Sequence, residues 1–127
     1  MNKLASKITE SELEVLKVMW EAGIELSITD IRKNLEQKSS WDASTIKTLL
    51  RRLCDKGVVT VIKKEVYYYV PVVSEAEYNE YNTQILIDRL YSGSAKNLVA
   101  SLLGSKKLKQ SDIEELRNMF KVGEDDE

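Results

Sequence analysis

The chain has 127 residues, of which 43% are apolar and 31% charged, and its formal net charge is −2. This length and balance suit a small globular protein and exclude a disordered chain. Because histidine is absent and Cys54 is the single cysteine, the composition excludes Ser-His-Asp and Cys-His catalysis, His/Cys zinc sites and an internal disulfide.

Two amphipathic helices are predicted in the first third of the chain. A Thr-x-x-Glu capping box that begins at Thr9 precedes a helix predicted over about Glu10–Ala22, and Gly23 is placed to end it. A Ser-x-x-Asp sequence that begins at Ser27 predicts a second helix over about Ile28–Glu36. Apolar residues recur at helical spacing in both segments, so each helix is expected to bury one face.

The third predicted helix has the clearest amphipathic pattern in the chain. It covers about Ala43–Asp55, with Asp42 as its N-cap. Its apolar face consists of Ile46, Leu49, Leu50 and Leu53. At 100° per residue the remaining surface carries hydroxyls and cations, from Ser44, Thr45, Lys47, Thr48, Arg51 and Arg52. The helix is therefore expected to bury one side and to present a polar, basic side to a partner.

The segment VVTVIKKEVYYYV, residues 58–70, predicts a β-hairpin because β-branched and aromatic residues dominate it. Its charged centre, Lys63-Lys64-Glu65, is the expected tip, but it lacks the Asn-Gly or Asp-Gly of the favoured two-residue turn, which leaves the turn geometry open. Pro71 is expected to end the second strand. The tyrosines at 67–69 are expected to alternate between core and surface, the other interpretation being stacking on bases.

Three further helices are predicted after the hairpin, over about Glu75–Leu90, over the apolar segment AKNLVASLLG, and from a capping motif at Ser111. They carry eight apolar residues at helical spacing: Leu86, Leu90, Leu98, Leu102, Leu103, Ile113, Leu116 and Phe120. So short a segment cannot bury these stripes alone. They pack either on the preceding domain or on another chain, and dimerisation is the preferred interpretation, because one recognition helix reads only a few base pairs.

The predicted order is three helices, a hairpin and three more helices. Three helices followed by a hairpin is the winged variant of the helix-turn-helix. We therefore predict a mainly α fold with a small β-hairpin. A winged-helix DNA-binding domain is expected over residues 1–73 and a helical dimerisation domain over residues 74–127.

Positive charge is concentrated where the third helix meets the hairpin. Residues 43–64 carry six bases and one acid, a net charge of +5, and such a local stripe is typical of nucleic-acid binding. The N-terminal half of a helix in the major groove can read bases, and the candidates there are Ser44, Thr45, Lys47 and Thr48. The candidates for phosphate contacts are Arg51, Arg52, Lys63 and Lys64. The two arginines could instead contact a guanine, and the two lysines could instead contact the minor groove.

Two other functional classes compete with a DNA-binding protein. Winged helices also serve as protein-interaction modules without a DNA role, but such a module predicts an apolar or acidic face on the third helix, where Ser44, Thr48 and Arg51 lie instead. The acidic residues occur at helical spacings typical of a solvated surface, so we expect neither an enzyme nor a cofactor. No apolar run reaches membrane-spanning length and no secretory segment opens the chain, which predicts a cytoplasmic protein.

Several segments, in this order, resemble the penicillinase repressor family, the BlaI/MecI/CopY type. ITESELEVLKVMW is similar to its opening helix, and STIKTLLRRLCDKGVV to its recognition helix and the turn into the wing. YYYVPVVSEAEY is similar to the exit from the wing, and LYSGSAKNLV and LKQSDIEELRNMF to the dimerisation helices. The resemblance covers about residues 8–120.

The resemblance implies a homodimeric repressor on inverted-repeat operators with TACA/TGTA-type half-sites. By position, it implies base contacts from Ser44, Thr45, Lys47 and Thr48, and backbone contacts from Arg51 and Lys63. It also implies control of an antibiotic-resistance or cell-wall-stress operon, relieved by a membrane sensor protease that cuts in the C-terminal region. Repression of a different stress operon is the alternative.

The chain departs from the family pattern at two places. Copper-responsive members carry a cysteine-rich motif near the C-terminus, whereas this chain has no cysteine after Cys54, so neither copper control nor a metal site is expected. Members that respond to β-lactams are cut at an Asn-Phe bond, and the aligned positions here are Ser101 and Leu102. This pair is the candidate cleavage site.

Overall fold

The structure, a computed structural model, describes residues 3–120. Six α-helices, a 3-10 helix and three short strands make up this part of the chain, which confirms the predicted mainly α fold; the predicted β-hairpin is part of a three-stranded sheet. In chain order they are a 3-10 helix (Lys3–Lys7), α1 (Glu10–Ala22), β1 (Leu26–Ser27), α2 (Ile28–Glu36), α3 (Ala43–Asp55), β2 (Val59–Lys63), β3 (Tyr67–Pro71), α4 (Glu75–Leu90), α5 (Ala95–Gly104) and α6 (Gln110–Met119).

The first helices begin and end at the residues that the capping motifs indicated. Thr9 and Glu12 form a reciprocal capping box, with hydrogen bonds of 3.0 and 3.3 Å, and Ser27 and Asp30 form a second one. Gly23 adopts the left-handed conformation, φ 69°, that ends α1. These side chains supply acceptors for backbone N–H groups that have no partner within the helix, which fixes where α1 and α2 start.

The sheet has the order β1-β3-β2 and is antiparallel throughout. Strand β1 was not predicted from the sequence, because a two-residue strand has no recognisable periodicity; its Leu26 pairs with Tyr69 of β3. In the hairpin, Lys63 still belongs to β2 and pairs with Tyr67. The connecting turn is therefore 64–66, one residue later than predicted, whereas Pro71 ends β3 as predicted.

The core joins α1, α2, α3 and the sheet. Its buried apolar residues are Ala5, Val15, Leu16, Val18, Met19, Leu26, Ile31, Leu35, Ile46, Leu49, Leu50, Leu53, Val58, Val59 and Val73. The tryptophan of α1 extends this core toward α4: Trp20 Nε1 donates a 2.9 Å hydrogen bond to the carbonyl of Val73, and its ring lies 5.7 Å from that of Tyr78. The apolar face of helix α3 is thus packed against a buried core.

The chain divides into two compact units within α4, one ending at Thr83 and the other beginning at Gln84. The division predicted at residues 73/74, with its assignment of DNA binding and dimerisation, stays a prediction. In the second unit the predicted helices are present, but the predicted cap at Ser111 is wrong: α6 begins earlier, and Lys109 N donates to Asp112 Oδ2 at 2.9 Å. Among the described helices, none is long and apolar enough to cross a membrane.

Candidate nucleic-acid interface

Helix α3 presents its predicted polar face to solvent. Its four apolar residues, Ile46, Leu49, Leu50 and Leu53, are buried in the core, so the opposite face points outward. Asp42 caps the helix by accepting a 2.9 Å hydrogen bond from Thr45 N. That hydrogen bond holds the pKa of the Asp42 carboxyl below its ordinary value, so the cap stays ionised. Its charge lies at the helix N-terminus, where the helix dipole favours it.

The residues predicted to read bases differ in their solvent exposure. Ser44 and Lys47 are exposed, whereas Thr45 and Thr48 are half-buried. The hydroxyl of Thr48 donates a 3.0 Å hydrogen bond to the carbonyl of Ser44, which leaves its methyl group and its lone pairs for a partner. All four lie in the first half of α3, and their role in reading bases stays a prediction.

Two of the six bases in the stripe are held in ion pairs within the chain. Lys56, directly after α3, donates to both carboxylate oxygens of Glu12 at 2.7 and 2.8 Å and to the carbonyl of Lys7 at 2.8 Å. Lys64 in the hairpin turn lies 2.6 Å from Oε1 of Glu25, and this hydrogen bond raises the pKa of the lysine. Glu12 and Glu25 are thus parts of the site that sequence reasoning missed, because their partners are 44 and 39 residues away.

The two lysines of the hairpin lie over different tyrosines. Lys63 Nζ is 5.8 Å from the ring centre of Tyr67, and Lys64 Nζ is 5.3 Å from that of Tyr68. Side chains alternate between the faces of a strand, so Tyr67 and Tyr69 share one face and Tyr68 occupies the other. Tyr69 packs against the core, and Tyr67 is 52% exposed. The hairpin therefore directs Lys63 and Lys64 to opposite sides.

The other four bases of the stripe form no ion pair with any residue that the structure describes: Lys47, Arg51, Arg52 and Lys63. The arginines and Lys47 are exposed on α3, and Lys63 is exposed on β2. Cations without an internal partner are available to phosphates. Within residues 3–120 no group of three or more histidine, cysteine, aspartate or glutamate side chains is placed to hold a metal ion.

A cavity of about 330 Å³ lies between α3 and the hairpin, and we name it the helix–wing cavity. It is lined by Ile28, Lys47, Arg51, Cys54, Val61, Tyr67 and Tyr69. The residues from α3 follow i, i+4, i+7 spacing and those from β3 follow i, i+2 spacing. These periods are visible in the sequence, but the register that brings the two stripes together is not.

The residues predicted to mediate dimerisation form an incompletely buried apolar surface in the second unit. Leu86, Leu90, Leu103, Leu116 and Phe120 are exposed, and Leu98, Leu102 and Ile113 are half-buried. Val99 and Met119 are exposed as well and were not predicted. Ile87 is the only residue of this unit, within the described part, that is buried. The surface stays unpaired within this unit, and its role in dimerisation stays a prediction.

The candidate cleavage site lies inside a helix. Ser101 and Leu102 belong to α5, where Ser101 is exposed and Leu102 half-buried. The hydroxyl of Tyr91 donates a 3.1 Å hydrogen bond to Ser101 Oγ. No residue of α5 is buried, so little packing within the chain opposes local opening of this segment.

Comparison with known proteins identifies relatives along nearly the whole chain. The family model described as "Penicillinase repressor" matches residues 8–121. The penicillinase repressor of Bacillus licheniformis is 32% identical over 115 residues, which cover 90% of this chain and 89% of that protein. The methicillin resistance regulatory protein MecI of Staphylococcus aureus strain N315 is 28% identical over 121 residues, covering 94% of this chain and 98% of MecI.

A solved structure matches about half of the chain. It is the solution structure of the monomeric form of B. licheniformis BlaI in complex with the blaP half-operator. The match has 36% identity and a TM-score of 0.50, and it covers 56% of this chain and 87% of that one.

Proposed function

The chain belongs to the penicillinase repressor family, and from this premise we propose that it represses transcription by binding duplex DNA through α3 and the hairpin. The resemblance inferred from the sequence is confirmed by the family match. The observation that carries the proposal is the set of cations on α3 and β2, Lys47, Arg51, Arg52 and Lys63, that no described acidic residue neutralises. The BlaI structure supports it, because BlaI holds a half-operator in its complex.

We propose that these residues have different roles, according to their positions in α3 and the hairpin. Ser44, Thr45, Lys47 and Thr48 lie at the start of α3 and would face base edges in a major groove. Arg51 and Arg52 follow one turn later, where phosphates flank the groove, and Lys63 adds a contact from the hairpin. Lys64 contributes only when it leaves Glu25, since the carboxylate and a phosphate compete for the same ammonium group.

We further propose that the protein acts as a homodimer on an inverted repeat. A matching pair of subunits suits a two-fold symmetric operator, and binding both half-sites together raises the effective concentration of the second subunit. The exposed apolar side chains of α4, α5 and α6 support this proposal, because many large apolar side chains left in water are typical of an interaction surface. The second unit is the proposed dimerisation region.

The proposed target is an antibiotic-resistance or cell-wall-stress operon, because two relatives are named for penicillinase and methicillin resistance. A different stress operon is the alternative, since Ser101-Leu102 stands where β-lactam-responsive members have Asn-Phe. We propose that proteolysis near this bond relieves repression, with a membrane sensor protease as the partner. The exposure of α5 supports access to this segment.

The test is a selection of duplex DNA from a random-sequence library, followed by affinity measurements at several salt concentrations. The expected result is an inverted repeat bound more tightly than unrelated DNA, with the logarithm of the affinity falling linearly with the logarithm of salt concentration. Absence of salt-dependent duplex binding would refute the proposal and would favour a protein-interaction module.

A further inference from the structure

The helix–wing cavity is lined by apolar residues and by two basic residues. Ile28 and Val61 contribute aliphatic groups, Cys54 contributes its thiol, and Tyr69 contributes a ring that packs against the core. The cations are on exposed residues, Lys47 and Arg51 of α3, and neither is in an ion pair within the described part of the chain. The lining therefore combines half-buried, mainly apolar residues with exposed cations.

The interior disfavours negative charge. Burial raises the pKa of the Cys54 thiol, and the nearby Asp55 carboxylate adds to this effect. Burial likewise raises the pKa of the Tyr69 hydroxyl. Both groups are neutral at pH 7, so no anionic side chain within the cavity neutralises Lys47 or Arg51. A matching ligand is apolar at one end and anionic at the other.

We propose that the helix–wing cavity binds a small hydrophobic organic anion, an aromatic or aliphatic carboxylate whose charged group pairs with Lys47 and Arg51 while its apolar body lies against Val61, Ile28 and Cys54. The volume of about 330 Å³ is at the small end of cavities that hold organic ligands, which suits one or two rings. Displacing water from the apolar walls supplies affinity, and the paired cations supply orientation.

A second cavity in the same unit provides an internal contrast. It measures about 390 Å³, and its lining includes Met19, Trp20 and Pro71. The charged residues among its lining are Glu25 and Glu75 rather than bases. This cavity therefore offers no cation to pair with a carboxylate, although its size and apolar character are similar.

Occupancy of the helix–wing cavity excludes DNA, and this part of the inference rests on the proposed function. Lys47 and Arg51 cannot pair with a ligand carboxylate and with DNA at the same time. The ligand thus acts as a competitive antagonist of operator binding. This route to derepression leaves the chain uncut.

The single cysteine provides a site-specific readout, because Cys54 lines the cavity and no other thiol reacts. The rate at which N-ethylmaleimide modifies the full-length protein is measured with increasing 1-naphthoate. Saturable protection of Cys54 is expected. 1-Naphthylmethylammonium has the same ring system and the opposite charge, and it is expected to give no protection at equal concentrations.

Substitutions distinguish specific binding in the cavity from nonspecific hydrophobic binding of the ligand. Replacing both Lys47 and Arg51 with Gln is expected to weaken protection by 1-naphthoate about tenfold or more, the loss expected for charge-assisted hydrogen bonds. The matched control is Arg52→Gln, which removes an exposed cation of α3 that does not line the cavity and is expected to leave protection unchanged. Val61→Phe, which fills the cavity while keeping its cations, is expected to abolish protection; thermal melting of the variant verifies that it folds.

The inference is overturned if 1-naphthoate does not protect Cys54, or if protection survives in the Lys47/Arg51 variant. It is equally overturned if saturating 1-naphthoate leaves DNA affinity unchanged. DNA binding is first measured without any ligand, and its absence there would refute the proposed function instead. The two failures are therefore distinguishable in one set of samples.

Discussion

The ammonium nitrogen of Lys56 lies 2.7 and 2.8 Å from the two carboxylate oxygens of Glu12, a residue that is only 1% exposed. Glu12 is in the first turn of α1, and Lys56 directly follows α3. This ion pair therefore joins the start of one helix to the end of the other. Burial alone would raise the pKa of Glu12, but hydrogen bonds from Lys56 and Thr9 outweigh it and hold the pKa below its ordinary value.

Removing either partner of this pair is expected to destabilise the fold to different degrees. Lys56→Met leaves a buried carboxylate without its cation and should cost about 3–5 kcal/mol. Glu12→Gln keeps a capping oxygen for Thr9 N and leaves Lys56 able to reach solvent, so a loss of about 1–3 kcal/mol is expected. Urea denaturation measures both. Glu14→Gln, which breaks an exposed pair with Lys17, is the control and should cost under about 0.5 kcal/mol.

The contribution of Glu12 should also depend on pH. Its folded pKa is below the unfolded value near 4.5, so its stabilisation is fully present above that value and is lost as the pH falls through the folded pKa. The difference in stability between the wild type and Glu12→Gln should therefore be largest at neutral pH and should shrink below about pH 4.5. A difference that is constant from pH 7 to pH 3 would contradict the ion-pair account.

Basic and polar residues of the proposed DNA interface should affect binding in different ways. Replacing Arg51 or Lys63 with Ala is expected to weaken all sequences alike and to lower the salt slope by about one, because each loses a phosphate contact. Replacing Thr45 or Lys47 is expected to change sequence preference, by about 1–3 kcal/mol for a lost base contact. Selections from a random library, repeated for each variant, measure both effects. An unchanged preference in the Thr45 and Lys47 variants would exclude them as base contacts.

Glu25 should restrain DNA binding, because it occupies the ammonium group of Lys64. Glu25→Gln is expected to tighten binding by roughly two- to fivefold, the range measured for exposed ion pairs. In a Lys64→Met background the same substitution should have a smaller effect. Glu65→Gln removes an equal charge from the hairpin turn, and among described residues Glu65 is in no ion pair. If Glu65→Gln tightens DNA binding as much as Glu25→Gln does, the tighter binding results from reduced long-range repulsion of DNA rather than from loss of competition for Lys64.

Truncation after Thr83 should separate folding from assembly. The cut retains Val73, whose carbonyl accepts from Trp20 Nε1, and Tyr78, whose ring packs beside Trp20, so the first unit should stay folded. It lacks the apolar surface of the second unit and should be monomeric, with much weaker affinity for a two-site operator. Sedimentation of both forms measures assembly. A full-length protein that is monomeric at micromolar concentration would count against the proposed dimer.

Cleavage within α5 should release the protein from DNA without unfolding the first unit. A specific protease sequence inserted between Ser101 and Leu102 allows the cut to be made at will. Burial of each large apolar side chain contributes about 1.5–3 kcal/mol, so separating Leu102, Leu103 and Leu116 from the rest should dissociate the dimer. Operator affinity is compared before and after cutting, and the intact inserted variant is the control. A cut protein that still dimerises and holds its operator would rule out proteolytic control here.

The sequence allowed accurate prediction of the first four helices, whose determining interactions are local. The bounds of α1, α2, α3 and α4 depend on capping residues three positions apart and on apolar periodicity, and all four were predicted to the residue. The residues on the exposed face of α3 were also predicted correctly from apolar periodicity. These features require no knowledge of which distant segments meet.

Some of the features that were missed depend on contacts between residues that are far apart in sequence, whereas the misplaced start of α6 depends on the local contact of Lys109 with Asp112. Strand β1 exists only because Leu26 meets Tyr69 from a distant part of the chain. The turn of the hairpin was misplaced by one residue for a local reason, because Lys63 pairs with Tyr67 and the turn lacks a sequence motif that would fix it.

Counting Lys56 and Lys64 in the positive charge of the basic stripe ignored Glu12 and Glu25, which are far away in sequence. The net charge of a segment can be counted from its sequence. Whether distant acidic residues already neutralise that charge cannot be predicted in the same way.

Strand β1 also determines the order in which this protein can fold. Its pairing with β3 closes a loop between Leu26 and Tyr69 that contains all of α2 and α3. Closing so long a loop costs entropy before its contacts form, so the sheet should complete late in folding. On a ribosome, α3 emerges before Tyr69, so the three-stranded sheet can be completed only after α3 and the hairpin have both been synthesised.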